Sequence, residues 1–184
     1  MIVDVNETNI KGCYELQPKA FQDERGLFVK TFHEEVFKEK GLAFQFVEEY
    51  YSYSKKGVLR GLHFQTPPKH HVKVVYCLSG EVLDVVVDLR KGSPTFGESE
   101  IFKLNFKKKN MIYIPSGLAH GFYVTGDHAL LLYKVTSVYS PENDNGIHWN
   151  SFKDLWPGKK PIVSERDSSF ASFCQFQSPF IYEE

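Results

Sequence analysis

Turn residues set the shape of this chain, because they cut it into short runs rich in Val, Ile, Phe and Tyr. Gly57–Gln65, Val72–Leu78, Glu81–Leu89, Glu100–Asn105, Met111–Ile114, Phe122–Val124 and Ala129–Ser137 are bounded by Gly, Pro, Asn or Asp. β-Branched and aromatic residues suit a pleated, half-buried surface, so these runs read as strands and turns. An aromatic content of 15% fits the same reading. The class is all-β.

Ser79-Gly80 separates two of the runs like a tight hairpin turn. One helix is expected at Glu34–Lys40, with Thr31 or His33 as cap, acids opening it, lysines closing it and Gly41 ending it. From Tyr139 onward Pro141, Gly146, Trp156-Pro157-Gly158 and Pro161 weaken the strand pattern, predicting an irregular tail with a few short helical turns laid over a barrel. Many short strands at this spacing favour a barrel that manages its edges by folding on itself, and a cupin-type jelly roll is the first choice. At 184 residues, the whole chain from 1 to 184 fits a single domain.

A formal net charge of -1 removes the basic field that non-specific nucleic-acid binding needs, so no nucleic-acid partner is expected. Lys107-Lys108-Lys109 is local and reads as a solvated turn. No apolar stretch approaches the roughly 20 residues that cross a bilayer. Cys13, Cys77 and Cys174 are odd in number and widely spaced, and no leader pattern opens the sequence, so the expected compartment is the cytoplasm.

Arg60 and His63 stand in the otherwise apolar run Gly57–Gln65. A regular strand sends them to opposite faces, so a shared site needs a bulge, for which Gly61 is suited. Otherwise they are a surface arginine and a hydrogen-bonded core histidine. Lys73 is either an outward-facing lysine or, facing inward, a cation for a developing oxyanion. His120 sits among small residues in Ile114–Phe122, where a ligand could approach closely or where it is simply a turn histidine. Tyr133 and Tyr139 alone read as packing residues, and Asp167 as an exposed acid. A metal on His63, His70, His71 and His120 is disfavoured, because Phe64 and Gln65 follow His63 and no second histidine stands at i+2.

Together these segments resemble the dTDP-4-dehydrorhamnose 3,5-epimerase family from about Phe21 to Asp167. The blocks that carry the resemblance include Asp23-Glu24-Arg25-Gly26, Ser54–Gln65, Gly80–Arg90, Ser93-Pro94-Thr95-Phe96-Gly97, Ile114–Phe122, Tyr133-Lys134, Tyr139-Ser140-Pro141-Glu142, Gly146-Ile147-His148-Trp149 and Ser164–Asp167. The resemblance implies a cupin-type jelly roll, a homodimer with an exchanged N-terminal strand, and no metal or organic cofactor. It implies an isomerase acting at C3, C5 or both on a nucleotide-linked 4-keto-6-deoxyhexose, by default dTDP-4-dehydro-6-deoxyglucose. His63 matches the general base, Asp167 its orienting carboxylate, Lys73 the enolate-stabilising cation and Tyr133 the general acid. Arg25, Arg60 and His120 match residues on the sugar nucleotide, and Phe28 and Tyr139 match pocket-lining residues.

The chain departs from the family pattern at several positions. Lys30 stands where members commonly carry Glu, Glu48 and Tyr50 where they carry Gln and Asn, and Arg166 where they carry Lys; His70-His71 replace a small polar loop. Lys30, Glu48 and Tyr50 are therefore expected to alter the preference for the nucleotide base. A single-carbon epimerase on another nucleotide such as CDP or GDP, a metal-dependent cupin enzyme and a non-catalytic binding module are the competing readings.

Overall fold

A computed structural model describes residues 3–183. Eleven strands are formed: β1 (Val3–Glu7), β2 (Tyr14–Pro18), β3 (Ala20–Asp23), β4 (Gly26–Val29), β5 (Glu48–Lys55), β6 (Leu59–Gln65), β7 (Lys73–Asp88), β8 (Ser99–Asn105), β9 (Met111–Ile114), β10 (Leu118–Val135) and β11 (Asp144–Gly146). Nine of them join one sheet in the order β1-β2-β9-β7-β10-β6-β11, with β5 added to β10 and β8 to β7, while β3 and β4 form a separate hairpin. The sheet curls into a jelly roll, as the strand pattern predicts.

The long strands β7 and β10 run antiparallel along almost their whole length and are shared by both faces of the roll. The first half of β7 pairs with β9 and the end of β10, and its second half pairs with β8 and the start of β10. Ser79-Gly80 is consequently no hairpin turn. The chain continues through it, and register shifts in β10 between Val124 and Ala129 and between Leu130 and Leu131 bend the pair. Gly80 has φ +82°, and a Cβ there would lie 1.8 Å from the His128 carbonyl oxygen, so glycine serves a bend instead of a reversal. The two runs expected at Phe122–Val124 and Ala129–Ser137 merge into β10 by the same bend.

The helix α1 spans Glu34–Glu39. His33 is its N-cap residue but makes no side-chain capping bond, and Thr31 instead donates to the Tyr76 hydroxyl at 3.4 Å. The sheet is packed on both faces, by Val75, Ile112, Ile114, Phe122, Val124 and Leu131 on one and by Leu59, Leu62, Phe64, Val85 and Leu89 on the other. Truncating such a residue to Ala typically costs about 2–5 kcal/mol. The tail contributes Ile147, Trp156 and Phe180 to the second cluster and carries 3-10 turns at Trp149–Leu155 and Phe173–Gln175 and a short helix α2 (Glu165–Ser168). Leu62 and Ile147 exchange backbone hydrogen bonds, which lays the tail along β6 and fixes α2 beside the strand that carries His63.

β1 pairs with β2 of its own chain, from Val3 opposite Pro18 to Glu7 opposite Tyr14. The N-terminal segment without a place in the main sheet is the β3–β4 hairpin, whose Phe21, Leu27 and Phe28 are exposed. Among the described residues no helix is long and apolar enough to cross a membrane.

Candidate active site

On β6, the register opposes His63 to His120 but Arg60 to Phe122, so three residue steps on β6 match two on β10. This is the bulge needed to bring Arg60 and His63 to one cavity. Gly61 adopts φ +129°, and a Cβ there would stand 2.5 Å from the Gly121 Cα; a Cβ on Gly121 would in turn meet the Arg60 carbonyl oxygen at 2.8 Å. Two facing glycines therefore let the strands close where no side chain fits.

The Gly61 N–H donates to Asp167 Oδ2 at 3.0 Å, and His63 Nε2 lies 2.8 Å from Asp167 Oδ1. Asp167 is buried on α2, its own N–H donating to the capping Ser164 hydroxyl. Burial opposes its charge, but the His63 and Gly61 hydrogen bonds outweigh that cost and hold the carboxyl below the usual carboxylate range. An ionised carboxylate only accepts, so Nε2 of a neutral His63 carries the proton and Nδ1 the free lone pair. Burial lowers the His63 pKa, and Lys73 and Arg166 push the same way against Asp167.

Lys73 opens β7 and is buried, with Nζ donating to the His63 carbonyl oxygen at 3.4 Å. Burial lowers its pKa to about 8, against the attraction of Asp144 and Asp84. Tyr133 of β10 is buried too, its hydroxyl 3.2 Å from that of Ser52. Burial pushes its pKa well up, leaving a protonated phenol. His120 is held through Nε2 by both oxygens of Asp84, at 3.0 and 2.8 Å. Asp84 is fully enclosed; burial raises its pKa, and His120 and Lys73 counter the shift.

These groups surround one cavity of about 360 Å³, lined by His63, Lys73, Tyr133, His120, Arg60 and Arg166, with Glu48, Tyr50 and Tyr139 on its wall as well. The size suits a drug-sized ligand. Arg60 donates through Nε to Ser54 at 3.0 Å, and Arg166 pairs with Asp144 at 2.8 Å. Glu48 accepts the Tyr139 N–H at 2.8 Å, and the Tyr50 ring lies on that of Tyr133.

Arg25, Phe28 and Lys30 are not brought here. Arg25 is tied to Asp23, and Phe28 and Lys30 are exposed on or beside the β3–β4 hairpin, outside the lining of the cavity. Within one chain, Lys30 therefore stands apart from Glu48 and Tyr50. Asp84, Ser52, Asp144 and Gln65 were missed by sequence reasoning, and His71 was noted there without a place in the site. Asp84 had a visible signal, a lone acid in the Val82–Val87 run. Gln65 and His71 had none, since their meeting depends on two loops: Gln65 donates to the Lys69 carbonyl and His71 Nδ1 and accepts the Ser140 N–H.

A half-buried imidazole on a buried carboxylate, facing an ammonium and a phenol across one cavity, can remove a proton from carbon, hold the resulting enolate and return a proton from another direction. Among the described residues no group of three or more His, Cys, Asp or Glu side chains could hold a metal ion. The family description dTDP-4-dehydrorhamnose 3,5-epimerase matches residues 7–175. The chain belongs to this family.

The dTDP-4-dehydrorhamnose 3,5-epimerase of Shigella flexneri is 42% identical over 174 residues, covering 93% of this chain and 96% of that protein. The Methanothermobacter thermautotrophicus enzyme of the same name is 41% identical over 170 residues, or 89% of this chain and 91% of that one. The Legionella pneumophila dTDP-6-deoxy-D-glucose-3,5-epimerase, solved in complex with dTDP-4-keto-L-rhamnose, superposes with a TM-score of 0.92 at 36% identity, covering 98% of this chain and 100% of that chain. A 3'-monoepimerase from Streptomyces bikiniensis, in complex with dTDP-quinovose, is also similar, with a TM-score of 0.86 at 32% identity over 92% of this chain and 87% of that one. As a dTDP-4-dehydrorhamnose 3,5-epimerase family member, this chain is an isomerase of nucleotide-linked keto sugars.

Proposed function

We propose that this epimerase converts dTDP-4-dehydro-6-deoxyglucose to dTDP-4-dehydrorhamnose by inverting C3 and C5, with His63 as base and Tyr133 as acid. The observation that carries the reading is the His63–Asp167 pair set against Lys73 and Tyr133 in one cavity. A C4 ketone acidifies the hydrogens on C3 and C5, but abstraction by imidazole needs the enolate stabilised. His63 Nδ1 takes the proton while the C–H electron pair moves into the enolate, and Asp167 supports the imidazolium. Lys73 donates to the C4 oxygen as charge develops there. Tyr133 then gives its phenolic proton to the carbon from the opposite face, and solvent restores both groups. Arg60 and His120 bind the diphosphate or the sugar, with Tyr139, Glu48, Tyr50 and Arg166 forming the rest of the pocket.

The active unit is a homodimer in which each protomer lends its β3–β4 hairpin to its partner. Exposed Phe21 and Phe28, and Arg25 turned away from its own cavity with its side chain 86% exposed, support this exchange. No metal or organic cofactor enters the chemistry, because the dyad, cation and phenol supply every proton and charge that it requires. Free Cys13, Cys77 and Cys174 support a cytoplasmic location.

The test is incubation with thymidine-, cytidine-, uridine- and guanosine-linked 4-keto-6-deoxyglucose in heavy water, following C3 and C5 by NMR. Exchange and inversion at both carbons of the thymidine-linked sugar are expected. Exchange at one carbon only would make this a single-carbon epimerase, and exchange at neither would overturn the reading.

A further inference from the structure

Tyr133 is buried, and one neighbouring strand supplies both the ring stacked on it and the partner of its hydroxyl. β5 and β10 are antiparallel with Tyr50 directly opposite Tyr133. Residues two apart on a strand share a face, so Tyr50 and Ser52 look inward together while Tyr51 and Tyr53 look out, at 72% and 58% exposure. The Tyr50 ring lies against that of Tyr133 with centroids 4.7 Å apart and planes 15° from parallel. Ser52 meets the Tyr133 hydroxyl at 3.2 Å, and the edge of His120 closes the approach from another side at 6.2 Å and 68°.

We infer that Tyr50 is a positioning residue for the proton donor: its ring, stacked on Tyr133, holds the phenol in the rotamer that delivers a proton to the face opposite His63. The inference rests on the roles proposed above for His63 and Tyr133. A stacked aromatic pair favours its geometry by roughly threefold to tenfold over an unstacked one.

The consequence is stereochemical. Abstraction by His63 does not involve Tyr50, whereas inversion requires Tyr133 to reach the enolate before His63 returns a proton to the original face. In heavy water, return from His63 after its N–H has exchanged with solvent labels the carbon without inverting it. A loosened Tyr133 therefore raises the ratio of exchange with retention to inversion, a quantity internal to each sample and insensitive to the fraction of folded enzyme.

The experiment measures exchange and inversion at C3 and C5 for the wild type, Tyr50→Asn and Tyr50→Phe, each as the full chain. In Tyr50→Asn the ratio of exchange with retention to inversion should rise roughly threefold to tenfold, and Tyr50→Phe, which keeps the ring, should return it to near the wild-type value. An unchanged ratio in Tyr50→Asn overturns the inference. So does a ratio in Tyr50→Phe as high as in Tyr50→Asn, which would assign the effect to the hydroxyl. Absence of exchange in the wild type would overturn the epimerase reading itself, and the inference with it.

Discussion

His63 Nε2 sits 2.8 Å from Asp167 Oδ1, a contact between residues 104 apart in sequence. Because the same carboxylate also accepts the Gly61 N–H at 3.0 Å, its orientation is fixed from two sides. His63→Ala should reduce carbon-bound proton exchange by about 10²–10⁴-fold. Asp167→Asn should be damaging for a specific reason. Its amide oxygen satisfies Gly61, which turns the amide N–H₂ toward His63 Nε2 and drives the imidazole proton onto Nδ1, where the lone pair is needed. A loss of about 10²-fold or more is expected. Near wild-type exchange in the folded His63→Ala protein would remove the base assignment, and an unaltered pH–rate profile in Asp167→Asn would remove the dyad.

The pH dependence follows from two depressed pKa values with opposite requirements. His63 must be neutral, and burial lowers its pKa, so kcat/KM should rise with pH through a value below the ordinary 6.5. Lys73 must be charged, and burial lowers it to about 8, so kcat/KM should fall as pH rises past that value. Stability runs the other way for the lysine. Between about 8 and 10.5 the unfolded chain binds its proton and the folded chain does not, so stability rises with pH across that window and the cost of the buried cation is fully present below it. Lys73→Met should therefore lose activity and the alkaline limb while gaining stability at pH 7, on the order of 3 kcal/mol. A lower melting temperature in an otherwise folded Lys73→Met protein would contradict the buried cation.

Gly61→Ala tests the bulge. A Cβ at this residue would stand 2.5 Å from the Gly121 backbone at φ +129°, so the strand must shift and carry the Asp167 hydrogen bond with it. A stability loss of about 1–3 kcal/mol or more is expected, with exchange activity falling further than the folded fraction. Urea denaturation beside the heavy-water assay separates the two effects, and unchanged activity would show that the bulge does not set the dyad.

Chelation should leave the reaction unaffected. His63 and His120 face each other across β6 and β10, yet each commits its Nε2 to its own carboxylate, Asp167 and Asp84. Activity lost with a chelator and restored by a divalent ion would reverse this.

The legible part of this molecule was what strand periodicity and residue type encode locally. Met111–Ile114 and the Gly61 bulge could be read because their signals lie within a few residues. β5 escaped, since Glu48–Lys55 buries only Ser54 and shows no apolar alternation. The turn assigned at Ser79-Gly80 failed for a related reason: a glycine at a positive φ marks a bend and a reversal alike, and only the long partner strand β10 decides between them. Within the site, Asp167 looked like an ordinary exposed acid because its burial depends on the tail returning to β6. Asp84 offered a signal in its apolar run, but its partner His120 is brought to it only by the pairing of β7 with β10.

The remaining expectation concerns residues that one chain cannot place at its own site. Arg25 and Phe28 lie on the β3–β4 hairpin, which pairs with no strand of the main sheet and leaves Phe21 and Phe28 at 53% and 60% exposure. If a symmetric partner receives the hairpin, each active site combines His63 from one protomer with Arg25 from the other. Arg25→Ala and His63→Ala homodimers should then both be weak. Unfolding and refolding the two variants together at equal amounts produces mixed dimers for half of the population, and each mixed dimer carries one site with both substitutions and one with neither. Activity should recover to about a quarter of the wild-type level. Light scattering on the same samples should report a dimer, and Phe21→Ser with Phe28→Ser should shift it toward monomer as the exposed apolar surface is lost. If Arg25 serves the cavity of its own chain, every mixed dimer has one defect in each site and no activity returns, which would assign the hairpin to its own protomer.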